Sequence, residues 1–140
     1  MLPISNKLFI DGEFVDSLGK SWIPILNPHD NSLITEVSEA QKADVDRAVE
    51  AARRAFPAWA KMAAADRGRL LLKLADAIEA NAESLAQLES LDTGHPLRDT
   101  RGLDVLRTAV TFRYFGGMAD KVQGSVVPVE QGFLNYVLRE

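Results

Sequence analysis

The side chains most often used in catalysis are scarce in this chain. Its 140 residues include two histidines and no cysteine. Without cysteine there can be no disulfide, no thiolate zinc site and no thiol nucleophile. His29 and His95 each adjoin a proline, and no serine lies in a G-x-S-x-G sequence, so a hydrolase nucleophile with its base is not indicated. We therefore interpret both histidines as solvated turn residues.

The remaining candidates for a binding site are acidic pairs and one glycine pair. Neither Asp44 with Asp46 nor Glu36 with Glu39 has a histidine nearby or the spacing of a calcium loop. We interpret these four residues as solvated helix and loop charges. Gly116-Gly117 lies within a helical pattern, which favours close helix packing over phosphate binding.

Composition excludes several classes of partner. With 16 basic and 20 acidic residues the net charge is -4, and no segment concentrates Lys and Arg as a nucleic-acid surface requires. No window holds the roughly 18 uninterrupted apolar residues of a membrane span. The opening "MLPISNKLFI" lacks a basic region followed by an apolar core. We therefore expect no nucleic-acid partner, no membrane association and a cytoplasmic location.

The elements that must position any site begin with short strands over about residues 7–37. In "LFIDGEFV", Asp11-Gly12 separates two β-prone runs and predicts a tight hairpin, because both turn residues tolerate positive φ. "SWIPILNP", the turn formers "HDNS" and "LITEV" predict a second strand pair.

From about residue 42 to 122 the apolar period is that of helices. We expect breaks at Pro57 and Asn81, and a helix end at Gly94 before Pro96. The helices are predicted to carry apolar stripes, two of which come from the first and the last helix. The first helix contributes Val45, Ala48, Val49, Ala52 and Phe56; the last contributes Leu103, Leu106, Val110, Tyr114 and Met118.

The end of the chain returns to a strand pattern. A last helix from Leu97 to about Val122 is expected to end at Gly124. "SVVPV", a turn at Glu130-Gln131-Gly132 and "FLNYVLRE" then predict a second hairpin that is apolar on both faces.

The order of these pieces closely resembles the N-terminal part of the NAD(P)-dependent aldehyde dehydrogenases. The resemblance is carried by "FIDGEFV", "ILNPHDNSLITEV", "ADVDRAVEAARRAFPAWA", "DRGRLLLKLADAIEANAESLAQLESLDTGHP" and "FRYFGGMADKVQGSVVP". It covers nearly the whole chain. His95, where many relatives look to have Lys, and Asn31, where they often have Gly, depart from it; Asn tolerates the left-handed conformation.

The resemblance implies an α/β fold: short strands and then about four helices, ending in a β-hairpin. Residues 1–123 would form the N-terminal part of the cofactor domain, and 124–140 the start of the oligomerisation β-extension. A dimer or tetramer through Ser125–Glu140 is expected.

The chemistry that the resemblance implies is oxidation of an aldehyde to an acid with NAD or NADP, through a cysteine thioester. We expect the catalytic cysteine and the nucleotide-binding glycine turn to lie beyond residue 140, in the remainder of the same polypeptide. No catalytic or cofactor-binding residue is therefore assigned within this chain, which alone is expected to be inactive.

A structural monovalent cation is a further implication of the resemblance. Backbone carbonyls at Ile25, Leu26 and Asp92 match the family's positions, and carbonyl oxygens suit a hard cation. Another interpretation of Asp92 is simply a residue near the helix end at Gly94.

Two alternatives to the enzyme segment remain. The chain could be a free-standing interaction module that pairs through its terminal hairpin by strand addition. A small autonomous enzyme is disfavoured because no nucleophile, base or metal cluster is in view. On its own, the chain is expected to be helical but loosely packed or self-associated, since its apolar stripes need a cover.

Overall fold

Strands and helices succeed one another in the order the sequence predicts. The structure, a computed structural model, describes residues 5–137. Within that range no helix is both long and apolar enough to cross a bilayer. The elements are β1 (Leu8–Ile10), β2 (Glu13–Val15), β3 (Trp22–Leu26), β4 (Leu33–Ser38), α1 (Lys42–Lys61), α2 (Ala64–Ala80), α3 (Ala82–Thr93), α4 (Leu97–Asp99), a π-helical turn (Thr100–Asp104), α5 (Val105–Met118), β5 (Ser125–Val127) and β6 (Asn135–Val137).

The six strands form three separate antiparallel pairs, β1-β2, β3-β4 and β5-β6. Asp11 and Gly12, with φ values of 56° and 84°, make the tight turn between β1 and β2, which confirms the predicted hairpin. Asn31 in the β3-β4 turn has φ 59°, the left-handed conformation expected of it.

Helix α1 does not break at Pro57, and that prediction was wrong. The helix continues to Lys61 with Pro57 inside it. Proline removes the N–H that would bond the carbonyl of Arg53. Because the helix is exposed on all sides from residue 52 to residue 61, water can take the place of the missing donor.

The next two helix ends follow the prediction. α2 and α3 meet at Asn81, whose side-chain amide donates to the carbonyl of Ala77 at 2.8 Å. α3 ends at Gly94, which takes φ 74° and donates its N–H to the carbonyl of Ser90 at 3.0 Å. This is the left-handed glycine cap expected before Pro96.

The predicted helix from Leu97 to about Val122 begins at the expected residue, but it is not a regular α-helix throughout and it ends earlier than expected. A three-residue helix and a π-helical turn precede α5, which ends at Met118. In the π-helical turn the Val105 N–H reaches back to the carbonyl of Thr100. The Thr100 side chain is fully buried, and its hydroxyl donates to the carbonyls of Ala86 and Leu97 at 3.0 and 3.2 Å. The extra residue in the turn lets Thr100 face α3 while α5 faces α2.

The interface between α2 and α5 is the most extensive contact between described elements. Gly68 and Gly116 meet there so closely that a Cβ on Gly68 would lie 2.5 Å from the Gly116 carbonyl oxygen. The fully buried Ala75 and Ala109 come from the same two helices. Close helix packing at Gly116, predicted from the glycine pair, is confirmed.

The predicted apolar stripes of α1 and α5 are mostly exposed in this chain. In α1, Ala51 is buried, whereas Val45 and Phe56 are 52% and 64% exposed. In α5 the buried residues are Val105, Ala109 and Gly116. The exposed large stripe residues are Val45, Val49, Phe56, Leu103, Leu106, Val110 and Tyr114.

The terminal hairpin pairs in the predicted way. Val126 lies opposite Tyr136, and the turn contains Gly132 with φ 94°. Every described residue from 121 to 137 is exposed. The last part of the predicted hairpin, residues 138–140, lies outside the described residues.

Candidate functional site

An apolar groove of about 650 Å³ lies between the β3-β4 hairpin and helices α2, α3 and α5. Ile25 on β3 and Asp92 on α3 both line it, so the structure brings together two of the three positions expected to hold a cation. Leu26 follows Ile25 along β3, is 47% exposed and does not line the groove. Cation binding by these carbonyls stays a prediction.

Asp44 is buried, which overturns its interpretation as a solvated charge. It is 1% exposed, and its carboxylate accepts hydrogen bonds from the Ser17 hydroxyl at 3.0 Å and the Gln41 N–H at 3.0 Å. The Leu18 N–H donates to it at 3.2 Å. Its neighbour Asp46 is exposed and pairs with Lys42, as a solvated charge would.

The hydrogen bonds to Asp44 stabilise its charged form. The backbone N–H of Gln41 is the main cause that lowers the pKa of the Asp44 carboxyl from its usual value of 3.8, although burial opposes it. The Ser17 hydroxyl, the Leu18 N–H and the charge of Arg47 add to the lowering. Asp44 thus ties the loop after β2 to the start of α1 and has a structural role.

His29 and His95 are both exposed, as predicted. His29 lies in the β3-β4 turn, where its backbone N–H donates to the Asn27 side chain at 3.0 Å. His95 differs because its ring lies against a carboxylate: Nδ1 is 2.7 Å from Asp104 Oδ2.

A third group joins His95 and Asp104. One ligand atom from each of Glu89, His95 and Asp104 lies within 4.8 Å of the other two. Glu89 comes from the last turns of α3, His95 from the loop after it and Asp104 from the π-helical turn. The cluster was not predicted from the sequence, because the π-helical turn that brings Asp104 to His95 has no recognised sequence signal.

Residues 14–140 match the family described as "Aldehyde dehydrogenase family". The chain belongs to the aldehyde dehydrogenase family. Its resemblance to that family, inferred from the order of motifs, is thereby confirmed.

Relatives of aldehyde dehydrogenase type match almost the whole chain. It is 48% identical over 132 residues to "Cytosolic 10-formyltetrahydrofolate dehydrogenase" of Pongo abelii, covering 93% of this chain and 15% of that protein. It is 43% identical over 137 residues to "Aldehyde dehydrogenase, mitochondrial" of Leishmania tarentolae. That match covers 98% of this chain and 28% of that protein. The chain therefore spans under a third of the length of either relative.

The fold is also that of solved aldehyde dehydrogenase structures. PnpE solved in complex with nicotinamide adenine dinucleotide is 65% identical with a TM-score of 0.89, and the structure of PnpE from Pseudomonas sp. WBC-3 is 65% identical with a TM-score of 0.88. The match covers 95% of this chain and 27% of PnpE. Short antiparallel strand pairs and four longer helices in this order, as predicted, are thus a part of the aldehyde dehydrogenase fold.

Proposed function

We propose that these residues serve as the N-terminal part of an NAD(P)-dependent aldehyde dehydrogenase that oxidises an aldehyde to a carboxylic acid. Residues 1–123 would belong to its cofactor domain and residues 124–140 to its oligomerisation β-extension. The observation that carries the proposal is the match to NAD-bound PnpE over 95% of this chain.

The chemistry in this proposal takes place outside the 140 residues. A cysteine thiolate attacks the aldehyde carbon, hydride passes to the nicotinamide of NAD or NADP, and water hydrolyses the thioester. Because the chain contains no cysteine, that thiolate must come from the remainder of the same polypeptide. The role of this segment is to build the scaffold of the cofactor domain.

An assay on the natural protein tests this function. An antibody against the α1 segment 44–56 would isolate the polypeptide that carries it, for intact-mass measurement and for NADH or NADPH production with several aldehyde classes. We expect a mass several times 15.4 kDa and aldehyde-dependent reduction of the cofactor. The isolated 140-residue chain is the matched control and should be inactive. A longer protein that reduces neither cofactor with any aldehyde would contradict the proposal.

A structural monovalent cation in the complete protein is part of the same proposal. The carbonyls of Ile25, Leu26 and Asp92 would supply oxygen ligands, with one more ligand from later in the chain. The positions of Ile25 and Asp92 on one groove support it. Exchange of Na⁺ for a bulky organic cation should lower the melting temperature of the complete protein; no change would remove this part of the proposal.

A homo-oligomer, dimer or tetramer, is proposed to form through Ser125–Glu140. Its support is the exposure of the apolar residues on both faces of the β5-β6 hairpin, including Val126 at 70% on one face and Val137 at 44% on the other. In a complete enzyme these faces and strand edges would be covered by another subunit.

The exposed hairpin equally supports the alternative of a non-catalytic interaction module that pairs by strand addition. The mass measurement separates the two functions. A natural product of 15.4 kDa would favour the module and a longer one the enzyme. A chain that remains a well-folded monomer at all concentrations would oppose self-pairing through the hairpin.

We also propose a cytoplasmic location. One relative is named cytosolic and another mitochondrial, so fractionation of the source cells is the direct test. Recovery of the protein in the mitochondrial fraction would refute this location.

A further inference from the structure

Two carboxylates lie close together at the cluster formed by Glu89, His95 and Asp104. The residues Glu89 and Asp104 are half-buried, and their ligand atoms lie within 4.8 Å of each other and of the His95 ring. Two like charges at this distance repel each other unless a cation or a proton lies between them. A positive charge between the two carboxylates would therefore stabilise the cluster.

Within residues 5–137, no Lys or Arg forms an ion pair with the carboxylate of Glu89 or Asp104. The Glu89 carboxylate has no hydrogen-bond donor and no Lys or Arg partner in this part of the chain. The nearby Asp99 differs, because Arg98 Nε donates to it at 2.9 Å and is the main cause that lowers the pKa of that carboxyl. Asp99 is thus already paired, whereas Glu89 is not.

The contact between His95 and Asp104 places two possible metal ligands side by side. Nδ1 and Oδ2 are 2.7 Å apart, yet the buried Oδ2 accepts no hydrogen bond from any residue between 5 and 137. At this distance a protonated His95 ring would form an ion pair with Asp104. A neutral imidazole nitrogen and a carboxylate oxygen placed side by side can instead both direct lone pairs to one ion.

The backbone that carries His95 is held in place. Gly94 caps α3, the His95 N–H donates to the Thr93 hydroxyl at 3.2 Å, and the Ser90 hydroxyl donates to the His95 carbonyl at 2.7 Å. A Cβ on Gly94 would lie 2.9 Å from Pro28, so the β3-β4 turn packs against this loop. His95 is thus presented to Asp104 from a fixed loop.

We propose that Glu89, His95 and Asp104 form a binding site for a divalent transition-metal ion of the zinc type. In a tetrahedral zinc site with bonds of about 2.0–2.2 Å, neighbouring ligand atoms lie about 3.4 Å apart, so small side-chain rotations complete this one. One imidazole and two carboxylates are ligands that zinc accepts. The ion would join the end of α3 to the π-helical turn, and a fourth position would remain for water.

This site is distinct from the monovalent cation proposed at Ile25, Leu26 and Asp92. That cation would take backbone carbonyl oxygens, whereas zinc would take side-chain nitrogen and oxygen. The zinc proposal does not depend on aldehyde oxidation, because all three ligands belong to this chain and zinc binding can be measured without that activity.

Titration of the 140-residue chain with Zn²⁺ by calorimetry tests the site, with Co²⁺ absorption as a second probe. We expect one ion per chain, and weaker binding by at least about tenfold in His95→Gln and Asp104→Asn, since loss of even an outer partner costs about that much. The matched control is His29→Gln, which removes the other histidine and should leave affinity unchanged. Equal affinity in the His95 and His29 variants, or no binding by the wild type, would overturn the proposal.

A further variant separates loss of a zinc ligand from loss of the fold. His95→Lys keeps a positive charge beside Asp104 but supplies no neutral ligand, so it should retain the circular dichroism of the wild type and lose Zn²⁺ binding. Retained Zn²⁺ binding in a folded His95→Lys chain would show that the ion lies elsewhere, which would also overturn the site.

Discussion

The α2-α5 interface and the β5-β6 hairpin differ in how much of their surface this chain covers by itself. At the interface, Gly68 and Gly116 bring two backbones into direct contact, and Ala75 and Ala109 are fully buried. In the hairpin every described residue is exposed, and Phe133 is 77% exposed. The close contacts of the first region are covered by this chain itself, whereas the described residues of the second are paired across the hairpin but exposed.

The difference shows which region of the structure can be stable in the isolated 140-residue chain. The buried apolar residues of the helices are Ala51, Ala75, Ala86, Val105 and Ala109, whereas most large apolar side chains of α1, α5 and the hairpin are exposed. Burial of each large side chain is worth about 1.5–3 kcal/mol only if an opposing surface exists. The helical interface should therefore persist in the isolated chain, and the hairpin should associate with another surface.

The strongest way to break the helical interface is Gly68→Ala. Its new Cβ would lie 2.5 Å from a backbone oxygen of Gly116, which cannot rotate away. We expect a loss of about 1–3 kcal/mol in the free energy of unfolding, measured with urea. The matched control is Gly117→Ala, whose Cβ would meet nothing within 4 Å and which should gain up to about 1 kcal/mol of helix stability. Equal effects of the two substitutions would contradict the close approach.

The hairpin is tested by replacing Phe133 and Leu134 together with Ser. Both side chains are more than 70% exposed in the chain, so the folded monomer should lose little stability. Self-association measured by sedimentation should weaken by about tenfold, which corresponds to about 1.4 kcal/mol. Leu18→Ser, at a 58% exposed loop residue, is the control and should leave association unchanged. Similar weakening by both changes would show that association is not specific to the hairpin.

A smaller effect is expected from pH at Asp44. Its pKa is lower in the folded chain than the ordinary value of 3.8, so the unfolded chain takes up a proton first as the pH falls. The stability that Asp44 contributes is thus present above about pH 4 and is lost as the pH falls through the folded-state pKa. Asp44→Asn should flatten the fall in urea stability below about pH 4, whereas Asp46→Asn should not. An unchanged acid slope in Asp44→Asn would argue against the hydrogen bonds at this carboxylate.

Local turn and cap chemistry could be predicted from the sequence, and long-range contacts could not. Asp11-Gly12, Asn81 and Gly94 determine their turns through their own backbone preferences, and the structure confirms each one. The burial of Asp44 depends on Ser17 and Leu18, which lie in a distant loop. No periodic pattern around Asp44 could indicate those partners.

The errors in the helices have a similar cause. Periodicity identifies an apolar face but not what covers it, and Phe56 and Val110 on the predicted stripes are exposed in this chain. Pro57 was expected to end α1, yet an exposed helix tolerates one missing N–H. At the candidate site, the π-helical turn that brings Asp104 to His95 follows from the packing of Thr100 against α3.

Amide hydrogen exchange of the 140-residue chain over a range of concentrations tests the contrast between the two regions most directly. We expect slow exchange in α2 and α5 at every concentration, and protection of β5 and β6 that increases only as the chain associates. A hairpin that is as protected as the α2-α5 interface in a dilute monomer would contradict the account.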